Sequence, residues 1–144
     1  MDIHFTPLKI IEGTGGAVLH ALKASSPDYV GFGEAYFSTV FYGETKNWRK
    51  HTRMTCNLIV PVGGVKFCVI DGSASKAAGK LVTKEFELSR SNYGRLTIPP
   101  GYWFNMQGME PGLNLILNIA DIEHDAGEMV TLQGGNISFQ SFQF

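Results

Sequence analysis

The chain has 144 residues, of which 44% are hydrophobic and 17% charged, and its formal net charge is −1. This length suits one domain with one core, and the near-neutral charge argues against a nucleic-acid-binding protein. No run approaches the roughly 20 apolar residues of a membrane span, and the N-terminus lacks the pattern of a secretory signal. We therefore expect a single cytoplasmic domain over residues 1–144, with Cys56 and Cys68 as free thiols.

Short strand-like runs follow one another along the chain and predict an all-β protein. They are rich in β-branched, aromatic and other apolar residues, and Gly, Pro, Asn, Asp or Ser bounds each of them. In chain order the predicted strands are 8–11, 17–22, 35–42, 57–62, 65–70, 86–88, 95–98 and 113–120. Strands this short and this numerous favour a sandwich or a barrel.

Two further segments carry predictions of their own. The small-residue run at 72–79 predicts a mobile surface loop. The run at 137–144 alternates apolar and polar residues, with one slip at Gln140 and Ser141, and predicts a strand. Because an exposed apolar edge strand invites association, we expect this strand to close the sheet or to cross to a partner subunit.

Two motifs indicate the kind of barrel. His51 lies in the polar stretch 43–55, which runs into the apolar segment 58–62. About forty residues later, a second strand ends in Pro99-Pro100-Gly101. A His at the mouth of one strand, followed by a strand that ends in Pro-Pro-Gly, is the two-part pattern of a cupin. The sequence therefore predicts a cupin, that is, a double-stranded β-helix or jelly-roll barrel, with His51 at its mouth.

The same motifs predict that no metal is bound. Metal-binding cupins use two His and one Glu in the first motif and another His in the second. The corresponding residues here are His51, Arg53, Asn57 and Phe104. A transition metal needs three or four donor atoms at one point, and a guanidinium repels it. We expect neither a metal nor any other cofactor.

Cations and aromatic residues lie close to these motifs in the sequence. Arg and Lys suit a phosphate or diphosphate, and a neutral His can take a proton from a carbon next to a ketone. The residues concerned are Lys46, Arg49, Lys50 and Arg53, together with Trp48, Tyr102, Trp103 and Phe104. Each of them, taken alone, also fits a solvated surface or a core position. If the segment after His51 is extended, His51, Arg53 and Thr55 share one face.

The chain resembles the dTDP-4-dehydrorhamnose 3,5-epimerase family of cupins, and more closely its short, divergent branch. The likeness spans roughly residues 7–130 and is carried by the segments 33–38, 43–55, 57–63, 98–101 and 118–125. It implies a nucleotide-linked 4-keto-6-deoxy sugar as substrate, no metal, and a role in surface-polysaccharide sugar biosynthesis. It also implies a homodimer and a His base assisted by a Tyr acid, a Lys that steadies the enolate oxygen, and Arg residues on the diphosphate.

Residue by residue, the resemblance implies that His51 is the base and that Lys46 lies near an Arg position of the family. Asn57 stands at the position of the family's Lys, and Leu117 or Asn118 at that of its Tyr. No counterpart is identified for the Asp that orients the His.

Two functions remain open from the sequence. The first is an epimerase or isomerase of a nucleotide-linked sugar, with His51 and Lys46 as its catalytic residues. The predicted substrate-binding residues are Glu34, Tyr36, Trp48, Arg53, Asn57, Trp103 and Asn118, and the candidates for the acid are Tyr36, Tyr42, Tyr102 and His124. The second is a non-catalytic cupin that binds a sugar or a sugar nucleotide. A second proton-transfer group about 3–7 Å from His51, across a sugar-sized cavity, distinguishes the two.

Overall fold

The computed structural model describes residues 1–133 and 137–144. Its strands are β1 (His4–Pro7), β2 (Ile10–Glu12), β3 (Ala17–Leu19), β4 (Glu34–Thr39), β5 (Trp48–His51), β6 (Cys56–Val62), β7 (Gly64–Ile70), β8 (Thr83–Ser89), β9 (Gly94–Ile98), β10 (Trp103–Gly108), β11 (Leu115–Ala120) and β12 (Met129–Leu132). An α-helix, α1 (Gly72–Ala78), and two 3₁₀ turns, Ala126–Glu128 and Phe139–Ser141, complete the described elements.

The strands form two antiparallel five-stranded sheets with interleaved order. The first sheet has the order β1-β9-β6-β11-β4, and the second has the order β12-β5-β10-β7-β8. The short strands β2 and β3 pair with each other as a separate hairpin. From β4 onward most consecutive strands lie in different sheets, so neighbours within a five-stranded sheet are distant in sequence, except for β7 and β8. The all-β cupin fold expected from the sequence is therefore confirmed.

The core lies between the two sheets and explains why the strands pair in this register. One face of β6 contributes Cys56, Leu58 and Val60, and β7 contributes side chains such as Phe67 and Val69, all at most 3% exposed. Full burial of such an apolar side chain stabilises the fold by about 1.5–3 kcal/mol. A shift of register by one residue would turn these side chains outward, so the apolar pattern fixes the barrel walls.

The prediction of a loop at 72–79 is wrong, because most of this segment is helix α1. The Asp71 side chain accepts a hydrogen bond from the backbone N–H of Ala74 at 3.0 Å and so caps the N-terminus. Gly79 ends the helix with a φ of 65°, a left-handed conformation that suits glycine. Small residues permit a helix as well as a loop, and here the caps at both ends stabilise the helix.

The strand predicted at 137–144 is also wrong. The segment contains the 3₁₀ turn Phe139–Ser141, which includes the slip in the alternation that the sequence shows. Phe142 is 5% exposed and packs edge-on against Trp48 and Trp103, with ring centroids 5.4 and 5.3 Å apart. Aromatic packing therefore covers this apolar segment without any strand pairing.

Candidate active site

A cavity of about 350 Å³ opens beside β4 and β5. Its described lining residues are Glu34, Tyr36, Arg49, His51, His124 and Met129. A smaller recess of about 30 Å³ shares Tyr36, Arg49 and His51 with it and reaches core residues such as Phe104 and Ile116. The outer cavity and the recess thus form one site in which polar groups face an apolar floor.

The alternation of β5 places two basic side chains in this cavity. Arg49 and His51 line it, whereas Trp48 and Lys50 lie on the opposite face of the strand. β5 is held between β10 and β12, so that Met129 lies opposite His51 in the register. Because β5 pairs with a strand on each side, its backbone fixes the positions of both basic groups.

His51 is 6% exposed, and its ring is held by Glu128, which is 2% exposed. The Nδ1 atom of His51 is hydrogen-bonded to the Oε1 atom of Glu128. The other carboxylate oxygen of Glu128 accepts the backbone N–H groups of Arg53 and Met54, at 3.1 and 3.2 Å. Burial alone would raise the pKa of Glu128, but these hydrogen bonds outweigh it and lower the pKa below its usual value.

These contacts assign the tautomer of His51. Because Glu128 is an ionised acceptor, the Nδ1 atom of His51 carries the proton and donates it to the carboxylate. In the neutral ring the Nε2 atom then keeps its lone pair, and no described residue hydrogen-bonds to it. A buried carboxylate that holds the imidazole in this tautomer is the arrangement of a general base.

Arg49 places a cation beside His51. Its Nε atom is buried and has no hydrogen-bond partner among residues 1–133 and 137–144. Burial lowers the pKa of this guanidinium, and the neighbouring Tyr36 and Cys56 act in the opposite direction. No described carboxylate forms a salt bridge with Arg49. A partly buried guanidinium whose buried Nε–H has no partner among the described residues favours an anionic or partly negative oxygen in the cavity.

Tyr36 faces the same cavity and the same recess. Its hydroxyl oxygen accepts a hydrogen bond from the Nδ2 atom of Asn118 at 2.9 Å. Burial raises the pKa of Tyr36, and the hydrogen bond from Asn118 opposes this rise only in part. The phenol is therefore protonated near neutral pH and can donate a hydrogen bond. At the outer part of the cavity, Glu34 accepts the backbone N–H of His124 at 2.8 Å.

Several solved structures are similar to this chain. A dTDP sugar isomerase from Desulfovibrio desulfuricans G20 is 32% identical, with a TM-score of 0.84 over 98% of this chain and 92% of that one. This chain belongs to the dTDP-sugar isomerase family of cupins. The resemblance to the dTDP-4-dehydrorhamnose 3,5-epimerase type of cupin is confirmed with it. No family model matches the chain, and neither does any curated protein sequence.

More distant members of this structural group share the fold. QdtA, a sugar 3,4-ketoisomerase from Thermoanaerobacterium thermosaccharolyticum in complex with TDP, is 21% identical, with a TM-score of 0.72 over 90% of this chain and 87% of that one. ChmJ, a 3'-monoepimerase from Streptomyces bikiniensis, is 7% identical, with a TM-score of 0.78 over 90% of this chain and 69% of that one. At these identities the likeness shows the fold alone.

The segment after His51 is not extended, so Arg53 does not lie on the same face as His51. The prediction that Arg53 lines the cavity is therefore wrong. β5 ends at His51 and the chain bends at Thr52 and Arg53, so the strand alternation does not continue. The guanidinium of Arg53 instead bonds to Asp125 at 2.7 Å, and both side chains are more than half exposed.

Trp48 and Trp103 lie outside the cavity wall. Both pack against Phe142 on the outer face of the second sheet, and the Trp103 ring donates its N–H to the carbonyl of Gln143 at 3.1 Å. Lys46 is partly buried, and burial together with the charge of Arg49 lowers its pKa. Lys46 therefore lies within electrostatic reach of the cavity, although it is not one of the side chains that line it.

The other predicted site residues are spread more widely. Asn118 lines the recess, whereas Asn57 is buried behind it. Of the candidate acids, Tyr36 and His124 line the main cavity. Tyr42 is exposed, and Tyr102 donates a hydrogen bond to Asp2 at a separate cavity.

The sequence analysis missed Glu128, and it named Arg49 only among the cations that suit a phosphate, not among the predicted site residues. Glu128 supplies the carboxylate for which no counterpart had been identified. Little in the sequence indicates this role of Glu128, because the 3₁₀ turn Ala126–Glu128 reaches His51 only through the pairing of β12 with β5. Arg49 had a clear signal, since it is two residues before His51 and shares its face in an extended segment.

Two further properties concern the described part of the chain. Over residues 1–133 and 137–144, no three or more His, Cys, Asp or Glu side chains come together in a way that could hold a metal ion. Among the helices of these residues, none has the length and apolar character needed to cross a bilayer.

Proposed function

We propose that this chain is an isomerase of a dTDP-linked 4-keto-6-deoxy sugar, and that it moves the keto group between C4 and C3. The observation that carries the proposal is the His51–Glu128 pair, which faces Arg49 and Tyr36 in one cavity. The 32% identical relative is a dTDP sugar isomerase. A His-to-Asn variant of QdtA was crystallised with TDP-4-keto-6-deoxyglucose, which supports a substrate of this type.

The first half of the reaction forms an enediol. The Nε2 atom of His51 removes the proton from C3 of the 4-keto sugar, and the electron pair of that C–H bond forms the C3–C4 double bond. Negative charge then develops on the C4 oxygen, where Arg49 stabilises it and Tyr36 donates its proton. Glu128 stabilises the imidazolium that forms at His51.

The second half of the reaction reverses these transfers at the neighbouring carbon. The Tyr36 phenolate takes the proton of the C3 hydroxyl, and the imidazolium of His51 returns its proton to C4. The C3–O bond becomes the carbonyl, so that atoms and electrons balance without an oxidant or a reductant. We therefore propose that the reaction needs neither a metal nor another cofactor.

The non-catalytic alternative accounts for less of the geometry. A binding protein has no need of a buried carboxylate that assigns the tautomer of a His. Because burial of an ionised group costs free energy, the Glu128 contact suits a role in proton transfer. Lys46 adds positive charge near Arg49 and suits the diphosphate of the ligand. We place the reaction in the cytoplasm, which the free thiols of Cys56 and Cys68 support.

The test is to incubate the protein with dTDP-4-keto-6-deoxyglucose and to follow the sugar signals by NMR. We expect a 3-keto isomer to appear. Inversion at C3 or C5 without migration of the keto group would make the protein an epimerase instead. Binding without any change of the sugar would support the non-catalytic cupin.

We also propose a homodimer, with an interface at the outer face of β4. Phe37 on this edge strand and Phe32 and Phe41 beside it are between 62% and 75% exposed. In the separate hairpin of β2 and β3, Ile11 and Val18 lie opposite each other and are also more than half exposed. Apolar side chains on an unpaired sheet edge favour a second copy of the chain.

Phe37→Glu is expected to convert the dimer into a monomer, because it introduces a charge into this apolar face. Light scattering at micromolar concentration measures the mass directly. Val130→Glu is the matched control, since Val130 is 44% exposed but lies on β12 of the other sheet. A wild-type protein that is monomeric, or a Phe37→Glu variant that stays dimeric, would refute this interface.

A further inference from the structure

The amide of Asn118 has a fixed orientation. Its Oδ1 atom accepts the backbone N–H of Asn57 at 3.0 Å. A backbone N–H can only donate, so the oxygen of the amide must face it. The Nδ2 atom of Asn118 then faces Tyr36, with 2.9 Å between Nδ2 and the hydroxyl oxygen. Asn118 is 3% exposed, so water has little access to compete for either contact.

This orientation determines which way the hydroxyl group of Tyr36 points. An amide nitrogen can only donate, so the phenol oxygen must accept from Asn118 and cannot use its own proton there. Among residues 1–133 and 137–144, no side chain or carbonyl accepts that proton. Because Tyr36 lines the cavity with His51 and Arg49, its proton is available to a ligand in that cavity.

The side chain of Asn57 fixes the strand segment whose backbone N–H orients Asn118. Its side-chain oxygen accepts the hydroxyl of Thr97 at 2.9 Å, and its nitrogen donates to the carbonyl of Ile119 at 3.3 Å. Asn57 is 3% exposed and Thr97 is fully buried. These bonds join β9, β6 and β11, so the backbone N–H that orients Asn118 belongs to a rigid part of the first sheet.

We propose that Asn118 is a positioning residue that keeps the Tyr36 hydroxyl a hydrogen-bond donor toward the substrate. The inference rests on the proposed function and deepens it, because Tyr36 is the acid of that reaction. In this proposal Asn57 and Asn118 orient the hydroxyl of Tyr36. The sequence had suggested instead that they bind the substrate directly. The same amide donor also stabilises the Tyr36 phenolate that forms when the proton leaves.

Asn118→Asp tests the proposal by turning the donor into an acceptor. The new carboxylate can accept from both the Asn57 N–H and the Tyr36 hydroxyl, so the phenol proton turns away from the cavity. We expect kcat to fall by about 10²-fold, as for loss of a general acid, with a much smaller change in KM. Asn118→Ala, which introduces no buried charge, is expected to give a smaller fall.

The decisive kinetic comparison uses Tyr36→Phe. If Asn118 acts through Tyr36, the double variant Tyr36→Phe with Asn118→Asp is no slower than Tyr36→Phe alone. If the two losses multiply, Asn118 acts independently of Tyr36 and the proposal is wrong.

An NMR measurement tests the hydrogen bond without any turnover. In protein labelled with carbon-13 at the tyrosine Cζ atoms, the signal of Tyr36 is assigned by its loss in Tyr36→Phe. We expect this signal to move in Asn118→Asp and in Asn118→Ala. The control is Asn92→Asp, which makes the same change at an exposed turn and should leave the signal in place.

An unchanged Tyr36 signal in both Asn118 variants would overturn the proposal, whatever the enzyme does. Conversely, a shifted signal in a protein that does not turn over the sugar would support the hydrogen-bond arrangement and would refute the proposed function. The two failures are therefore distinguishable.

Discussion

His51→Asn is expected to lower the rate of proton exchange at C3 of the keto sugar by about 10²–10⁴-fold, the usual contribution of a general base. Asparagine can still donate a hydrogen bond to Glu128 from its amide nitrogen, so the buried carboxylate keeps a partner. It cannot take up a proton near neutral pH. We therefore expect the fold and the binding of the nucleotide sugar to survive while exchange is lost.

His20→Asn is the matched control, since His20 lies outside this cavity and lines another one. The exchange rate is measured by NMR in deuterated water, and binding by calorimetry. If His51→Asn exchanges the C3 proton as fast as the parent protein, His51 is not the base. The non-catalytic cupin would then be the better description of the molecule.

Glu128→Gln is expected to have an effect on turnover as large as that of His51→Asn, through a change of tautomer. Glutamine has one carbonyl oxygen, and the two backbone donors at Arg53 and Met54 require it. Its amide nitrogen then faces Nδ1 of His51, which must accept and lose its proton. The ring proton moves to Nε2, so the atom that faces the substrate is no longer a base.

Nitrogen-15 NMR of the histidine ring measures this tautomer directly. We expect Nδ1–H in the parent protein and Nε2–H in Glu128→Gln, together with a fall in kcat of about 10²–10⁴-fold. Glu123→Gln is the control, because it makes the same change at an exposed residue of the same loop. An unchanged tautomer with full activity would contradict the role assigned to Glu128.

Glu128→Gln is also expected to lower the free energy of unfolding at neutral pH by about 2 kcal/mol, since hydrogen bonds to a charged group contribute about 1.5–3 kcal/mol each. The lowered pKa of Glu128 sets the sign of the pH dependence. The stabilisation is present above the pKa of an unfolded Glu, near 4.3, and is lost as the pH falls through the lower folded value. The stability gap between parent and variant should therefore narrow in acid, as urea unfolding can measure.

Much of the fold could be predicted from the sequence, because apolar alternation and turn residues report local structure. The strands around Leu58 and Phe67 are of this kind. By contrast, β5 carries Trp48, Arg49, Lys50 and His51, and its polar composition conceals a strand that pairs on both sides within its sheet. Phe142 likewise finds its partners, two Trp side chains, only through tertiary packing.

The candidate site too could be predicted only where local sequence patterns report it. The sequence identified His51, Tyr36, Glu34 and Asn118, which line the cavity or its recess. It could not reveal the contact of His51 with Glu128, since 77 residues separate the two and a strand register brings them together. The error at Arg53 arose because a strand was extended past its end.

Deuterium uptake at C3 tests the central claim most directly. The protein is incubated in deuterated water with dTDP-4-keto-6-deoxyglucose, and the recovered sugars are examined by NMR beside samples without protein and with His51→Asn. Because the proton on the His51 imidazolium can exchange with the solvent before it returns, we predict that deuterium enters C3 of the 4-keto sugar and C4 of the 3-keto isomer as that isomer accumulates. Both the uptake of deuterium and the isomer are lost in the variant. A bound sugar that keeps its C3 proton and its 4-keto group would contradict the assignment of His51 as the base of an isomerase.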